Sequence, residues 1–310
     1  MKHFISLKTF SQKELKNLLD LSAQIKNNPA NFKNILKDKC IGLLFEKPSL
    51  RTKTVFYIGA LELGADTIYY TPAEVDLGER EKVSDVAKTL SLYLDAVVLR
   101  TFSHNDILEF AEFSSIPVIN GLSDLSHPSQ VLADILTIEE LKGQIGKIKV
   151  AYIGDGNNVC NSLLYAFSIL GGNLTIASPK AYLPPKDVLE LAKSYSEKSG
   201  AKITLTNSPL EAAKSADVLY TDSWISMGKE KEAKIRKKVF KSFQINDKIL
   251  QQADKNCIVM HCLPAHRGQE ITDSVMDGKN SAIFLQAANR YHAAKAILAY
   301  IFKDNLVTKV

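Results

Sequence analysis

The chain has 310 residues, 45% hydrophobic and 24% charged, with a formal net charge of +5. That is an ordinary globular profile, long enough for two domains that each bury a core. The mild, interleaved positive charge suits anionic small molecules and excludes a nucleic-acid footprint, and no apolar run reaches the roughly 18 residues of a membrane span.

The four cysteines, Cys40, Cys160, Cys257 and Cys262, have no CxxC spacing, which fits a reducing compartment. Met1-Lys2-His3-Phe4-Ile5 does not read as a signal peptide, so a cytoplasmic protein is expected.

In chain order, Ser11 and Glu14 match a capping box ahead of an amphipathic helix running to about Asn27. A short strand, 41–46, ends in Lys47-Pro48-Ser49-Leu50-Arg51-Thr52-Lys53, which opens a helix to about Leu63. Strands are then expected at 67–70, 96–99 and 117–120, alternating with helices at 83–94, 105–113 and 127–141. Gly143-Gln144-Ile145-Gly146 breaks this series and a second begins. It has strands at 149–153, 174–177, 202–205 and 218–221, with helices from Asn158 to about Leu170, over much of 184–198, and over 210–215. A charged helical stretch leads to the apolar run 257–260, read as a buried strand ending at His261-Cys262. A last strand, 282–285, and a helix from Asn289 to about Phe302 complete the pattern. Repeated βα units imply an α/β fold of two doubly wound parallel-sheet domains, 1–142 and 143–288. Carboxyl ends of parallel strands share one edge of a sheet, and two such edges facing each other would form a ligand cleft.

Polar residues gather at those strand ends. Ser49 to Lys53 combines hydroxyls, two cations and a helix N-terminus, which suits an anion, although a surface Arg beside an ordinary cap is the competing reading. Arg100 closes an apolar run and needs an anion, a carbonyl or solvent. His127 and Gln130 share a helix face, suited to a carbonyl and an amide, or His127 caps the helix. Gly154-Asp155-Gly156-Asn157-Asn158 invites a dinucleotide reading, but Val159 stands where the third glycine belongs and no acid clearly ends the next strand. Asp222 could hold an ammonium group or form an Asx-turn. Cys262 is a reactive-site thiol or a small core hydrophobe. Arg290 is a ligand cation or a salt-bridge partner. Together, cations and N–H donors in the first half and a carboxylate, amides and a thiol in the second suggest group transfer between two substrates.

At these residues the chain resembles the aspartate/ornithine carbamoyltransferase family along essentially its whole length. The motifs are Ser49-Leu50-Arg51-Thr52-Lys53, His127-Pro128-Ser129-Gln130, the segment from Asp222 through Ser226-Met227-Gly228, and His261-Cys262-Leu263-Pro264. The last two place it with the ornithine branch. The resemblance implies two α/β domains with the active site in the cleft between them, and a final helix, 289–310, returning to the first domain. It also implies a homotrimer, no cofactor and no metal, with no nucleic-acid or membrane partner. The expected reaction moves the carbamoyl group of carbamoyl phosphate to the δ-amino group of L-ornithine, giving citrulline and phosphate. The rival acceptors are putrescine and an acylated ornithine. Other readings are a nucleotide-dependent oxidoreductase and a non-catalytic binding protein.

By resemblance, Ser49, Leu50, Arg51, Thr52, Arg100, His127, Gln130, Cys262, Leu263 and Arg290 bind carbamoyl phosphate. Asn158, Asp222, Ser226 and Met227 bind ornithine, and Arg100, His127 and Cys262 are catalytic. The chain departs from the family pattern at Leu50, where Thr is common, and at Lys53, where Arg is. Arg80 stands in place of a glycine, and Ala288 in place of a frequent Glu. The residues leave open whether the reaction serves arginine synthesis or breakdown.

Overall fold

The computed structural model describes residues 2–225 and 228–302. The chain divides into two compact units, Met1–Thr9 with Lys13–Leu132 and Arg290–Val310, and Phe10–Gln12 with Ala133–Asn289. The main divisions fall inside two helices, ten residues before the expected 142/143 break in one case and one residue from the expected 288/289 break in the other.

The first unit runs α1 (Gln12–Asn27), β1 (Cys40–Phe45), α2 (Arg51–Glu62), β2 (Asp66–Tyr70), α3 (Pro72–Val75), α4 (Val83–Leu90), β3 (Ala96–Arg100), α5 (His104–Phe113), β4 (Val118–Leu122) and the start of α6 (Pro128–Lys142). Its four strands are all parallel, in the order β2-β1-β3-β4. β3, Ala-Val-Val-Leu-Arg, is buried at every residue, as a central strand covered on both faces must be. β2 is half-exposed and forms an edge. In α4 the buried residues Val83, Val86, Ala87 and Leu90 recur at one helical face and pack on Leu44, Val97 and Leu99.

The second unit continues with β5 (Lys149–Ile153), α7 (Asn158–Leu170), β6 (Asn173–Ala177), α8 (Lys186–Ser199), β7 (Lys202–Thr206), α9 (Pro209–Ala213), β8 (Val218–Thr221), α10 (Ala233–Val239), α11 (Asp247–Leu250), β9 (Ile258–His261), α12 (Asp273–Met276) and the first turns of α13 (Ile283–Ile301). Five parallel strands lie in the order β7-β6-β5-β8-β9. Trp224, Phe240, Phe243 and Ile245 close the core over β8 and β9. Arg290 to Ile301 of α13 belong to the first unit, so the last helix does return there, tied by Lys295 Nζ to Glu62 at 3.0 Å.

Two expected elements change. Residues 282–285 are not a strand: Ser281 makes one bridge to Val259, and Ile283 already begins α13, six residues before the expected Asn289. A four-residue apolar run does not distinguish strand from buried helix. Here the following Ala287, Ala288, Ala293, Ala294 and Ala296 favour helix. The helix expected over 83–94 stops at Leu90, and residues 91–93 form turns.

Candidate active site

In the first unit the chain leaves β1 toward β2 on one side and later places β3 on the other. The carboxyl ends of β1 and β3 therefore flank a topological switch point, where open α/β sheets bind ligands. Residues 46–52 follow β1 there, and Arg100 ends β3. α2 begins at Arg51 with Leu50 at its cap, and no side chain caps it. Leu50 is 77% exposed, Ser49 and Arg51 are half-buried and Thr52 is buried. Lys53 lies over the Tyr69 ring, 3.6 Å from its centroid. Arg290 Nη2 donates to Thr52 Oγ1 at 2.7 Å, which carries a third guanidinium to the same place.

Arg100 is aimed by a bulge. Leu99 pairs with Asn120, but Arg100 pairs with Leu122, so Gly121 is the extra residue. A Cβ on Gly121 would lie 3.1 Å from the Leu99 carbonyl oxygen, so glycine is what the close approach admits. β4 then leads to a turn and to α6, where Pro128 fills the first helical position without sacrificing an N–H. His127 and Gln130 stand at this helix start, both buried.

The electrostatics show that these cations share one region. Burial first, then the charges of Arg290 and Arg51, push the Arg100 guanidinium down to about 10. Burial, then Arg290 and Arg100, hold His127 well below the usual imidazole value. Clustered cations that depress one another make a site for an anion. A neutral His127 donates one N–H without adding to the repulsion.

The second unit has its own switch point, between β5 and β8. Asn157 and Asn158 follow β5, and Asp222 follows β8. Asn157 caps α7, its Oδ1 accepting from the N–H groups of Val159 at 3.0 Å and Cys160 at 3.1 Å. Its Nδ2 donates to Asp222 Oδ2 at 2.6 Å. The other oxygen, Oδ1, accepts from the Ser223 N–H at 2.7 Å and the Cys262 thiol at 2.8 Å. Asp222 thus accepts from the next backbone N–H, rather than the N–H two residues on that an Asx-turn uses, and also orients a thiol. Cys262 is buried, and Asn158 and Leu263 are partly buried.

His261 lies beside this group, but both its ring nitrogens are engaged elsewhere. Its Nδ1 accepts from the Leu263 N–H at 2.9 Å, and its Nε2 lies 3.1 Å from Glu270 Oε1. These bonds hold the turn in which Leu263 takes a left-handed φ of 59° and the Leu263–Pro264 peptide is cis. Behind β9, the His261 N–H donates to Gln286 Oε1 at 2.9 Å, and Gln286 Nε2 donates to buried Asp134 at 2.7 Å. Donor atoms of Asp222, His261 and Cys262 lie within 4.8 Å of one another. A metal ion there would displace the Cys262–Asp222 bond and one of the two bonds of His261.

Ser226 and Met227 lie outside the described residues. Asn157, the partner of the Asp222 carboxylate, was not among the expected ligands, although its place at a helix start beside a strand end was the available signal. Glu270 had no signal at all. Asp155 is committed to Arg236 at 2.7 Å, and Arg236 also binds the Trp224 carbonyl at 3.0 Å. In the glycine turn, the N–H groups of Gly154, Gly156 and Asn157 donate to the carbonyls of Ala177, Tyr182 and Asp155. A dinucleotide's phosphates would need those donors.

Comparison with known proteins agrees with this layout. The carbamoyl-P binding domain of aspartate/ornithine carbamoyltransferase matches residues 2–140, and the Asp/Orn binding domain matches 146–301. The chain is 46% identical over 287 residues to a catabolic ornithine carbamoyltransferase of Thermoplasma acidophilum, covering 93% of this chain and 94% of that one. It is 44% identical over 302 residues to the ornithine carbamoyltransferase of Methanocaldococcus jannaschii, covering 97% and 99%. Among solved structures, the ornithine carbamoyltransferase of Pyrococcus furiosus superposes with a TM-score of 0.93 at 41% identity, covering 96% of each chain. The anabolic ornithine carbamoyltransferase of Campylobacter jejuni gives 0.94 at 40% identity, covering 98% of this chain and 100% of that one. On these matches, and with its two switch points furnished as described, the chain belongs to the aspartate/ornithine carbamoyltransferase family of transferases.

Proposed function

We propose that the chain transfers the carbamoyl group of carbamoyl phosphate to the δ-amino group of L-ornithine, giving citrulline and phosphate. The observation that carries this reading is the cluster of Arg51, Arg100, Arg290 and neutral His127, a receptor for a doubly charged ester. The names of the relatives and the Asp222–Cys262 pair support ornithine as the acceptor.

The backbone N–H groups at 49–52, with Arg51 and Arg290, hold the phosphate. Arg100 and His127 donate to the carbonyl oxygen and Gln130 to the carbamoyl amide. Donors aimed at a developing oxyanion contribute about 3–4 kcal/mol each in comparable sites. Asn158, Asp222, Ser226 and Met227 bind the amino acid, and Cys262 and Leu263 line the reacting centre. The neutral amine attacks the carbonyl carbon, a C–N bond forms, and the C–O bond to phosphate breaks. The departing phosphate takes the electron pair, and the proton lost by nitrogen balances it. Side-chain bonds and charges alone complete this cycle, so the proposal includes no cofactor.

A homotrimer in the cytoplasm is part of the same proposal, and no nucleic acid or membrane enters it. Exposed apolar side chains in the first unit, Leu50, Leu92, Tyr93 and Phe102, support a covered surface, and no helix among the described residues is long and apolar enough to cross a membrane. Purified protein given carbamoyl phosphate should carbamoylate ornithine and leave putrescine and acetylornithine largely untouched. Faster turnover of either alternative would reassign the acceptor, and failure with all three would end the proposal.

A further inference from the structure

His104 opens α5, four residues after Arg100, and yet is buried. Its backbone N–H donates to Asp124 Oδ1 at 2.8 Å, and its Nδ1 lies 2.8 Å from Ser123 Oγ. Ser123 Oγ accepts from the Ser126 N–H at 3.2 Å and lies 3.4 Å from the Ser126 carbonyl oxygen. The Ser123 N–H donates to that same carbonyl at 3.0 Å. Ser126 is the residue before His127. Alongside, the Thr101 N–H donates to the Leu122 carbonyl at 3.1 Å, so segments 100–104 and 120–127 run together.

The bonds also assign the imidazole proton. His104 Nε2 is buried and has no hydrogen-bond partner among the described residues. A proton there would be a buried donor with nothing to accept it, which the fold disfavours. With the proton on Nδ1, every hydrogen has a destination: Nδ1–H donates to Ser123 Oγ, and the hydroxyl proton goes to the Ser126 carbonyl. The ring is therefore a donor reaching from one loop to the other.

We infer that His104, acting through Ser123, is a positioning residue: it fastens the loop bearing Arg100 to the turn bearing His127. This rests on the assignment of those two groups to the carbonyl oxygen of carbamoyl phosphate. Both donors must meet one oxygen, and a displacement of about 1 Å in such a pair can cost 100-fold in rate. The latch joins them through two side chains and one peptide, all within the first unit.

The test uses the geometry of amide substitutes for imidazole. His104→Asn places an amide N–H near the former Nδ1, whereas His104→Gln places it near Nε2. Steady-state kinetics with both substrates, and titration calorimetry with carbamoyl phosphate alone, are run on wild type, H104N, H104Q and S123A. H104Q and S123A should lose about 10-fold or more in kcat/KM for carbamoyl phosphate, with the ornithine KM within about twofold of wild type. H104N should recover to within about threefold, which a packing role would not produce, since Gln is nearer to His in bulk. Equal losses in H104N and H104Q, or wild-type kinetics in S123A, would overturn the latch; S123A carries the test if H104Q does not fold. Wild type that neither binds carbamoyl phosphate nor makes citrulline would instead overturn the functional proposal itself.

Discussion

Asp222 is oriented before any ligand arrives. An ionised carboxylate has roughly four acceptor positions, and among the described residues three are filled, by Asn157, Ser223 and Cys262. The carboxylate plane is thereby fixed, and one position remains for an amine. Hydrogen bonds to charged groups contribute about 1.5–3 kcal/mol. Asn157→Ala should therefore raise the ornithine KM by roughly 10-fold or more and leave carbamoyl-phosphate binding near wild type; an unchanged ornithine KM would remove Asn157 from the site. The sequence placed two adjacent asparagines at the right strand end but could not say which faces the carboxylate, because that depends on which one caps α7. Lys53 was legible only as a lost fork of donors. The structure gives it a place over Tyr69, where an ammonium serves as well as a guanidinium.

At the scale of elements, the strand ends carried most of the readable information. Ser49 to Thr52, Arg100, Asp222 and Cys262 each follow a hydrophobic run, and parallel topology brings such ends to one edge of each sheet. What could not be read were departures from regular pairing. The bulge at Gly121 depends on Leu99 and Arg100 facing residues two apart on β4, which no local pattern encodes. Gly121→Ala would press a methyl against the Leu99 carbonyl oxygen at 3.1 Å and Val98 Cγ1 at 3.2 Å. The expected result is a loss of about 1–2 kcal/mol in urea unfolding, together with a raised KM for carbamoyl phosphate as Arg100 is re-aimed. The segment 282–285 is ambiguous for a related reason: its apolar content fits either element, and the alanines that follow it favour helix.

For the whole molecule, three histidines give stability a pH dependence. His3, His104 and His127 are all held below the usual imidazole value, each chiefly by burial. Below pH 6.5 the unfolded chain takes up protons that the fold refuses, so stability falls as pH falls. Their contribution is complete above about pH 7 and declines from there until the folded groups titrate. Glu46 and Asp106 act oppositely, since burial raises both, but carboxylates enter mainly at lower pH. Urea midpoints should therefore drop between about pH 7 and 5.5 at constant slope, and a flat profile would contradict the burial. Anion binding adds a second linkage. Inorganic phosphate at about 100 times its dissociation constant should stabilise the fold by about 2.7 kcal/mol, a shift in thermal midpoint that Arg51→Ala abolishes.

The return of α13 to the first unit bears on how the chain is made. A ribosome releases residues in order, and domains tend to fold as they emerge. Here Thr52 and Glu62 wait for Arg290 and Lys295, which leave 238 and 233 residues later. Birth order and completion order are therefore reversed: the half synthesised first is finished last. A released fragment ending at Asn289 should keep a folded second half, while its first half, lacking Arg290, binds phosphate more weakly than the whole chain.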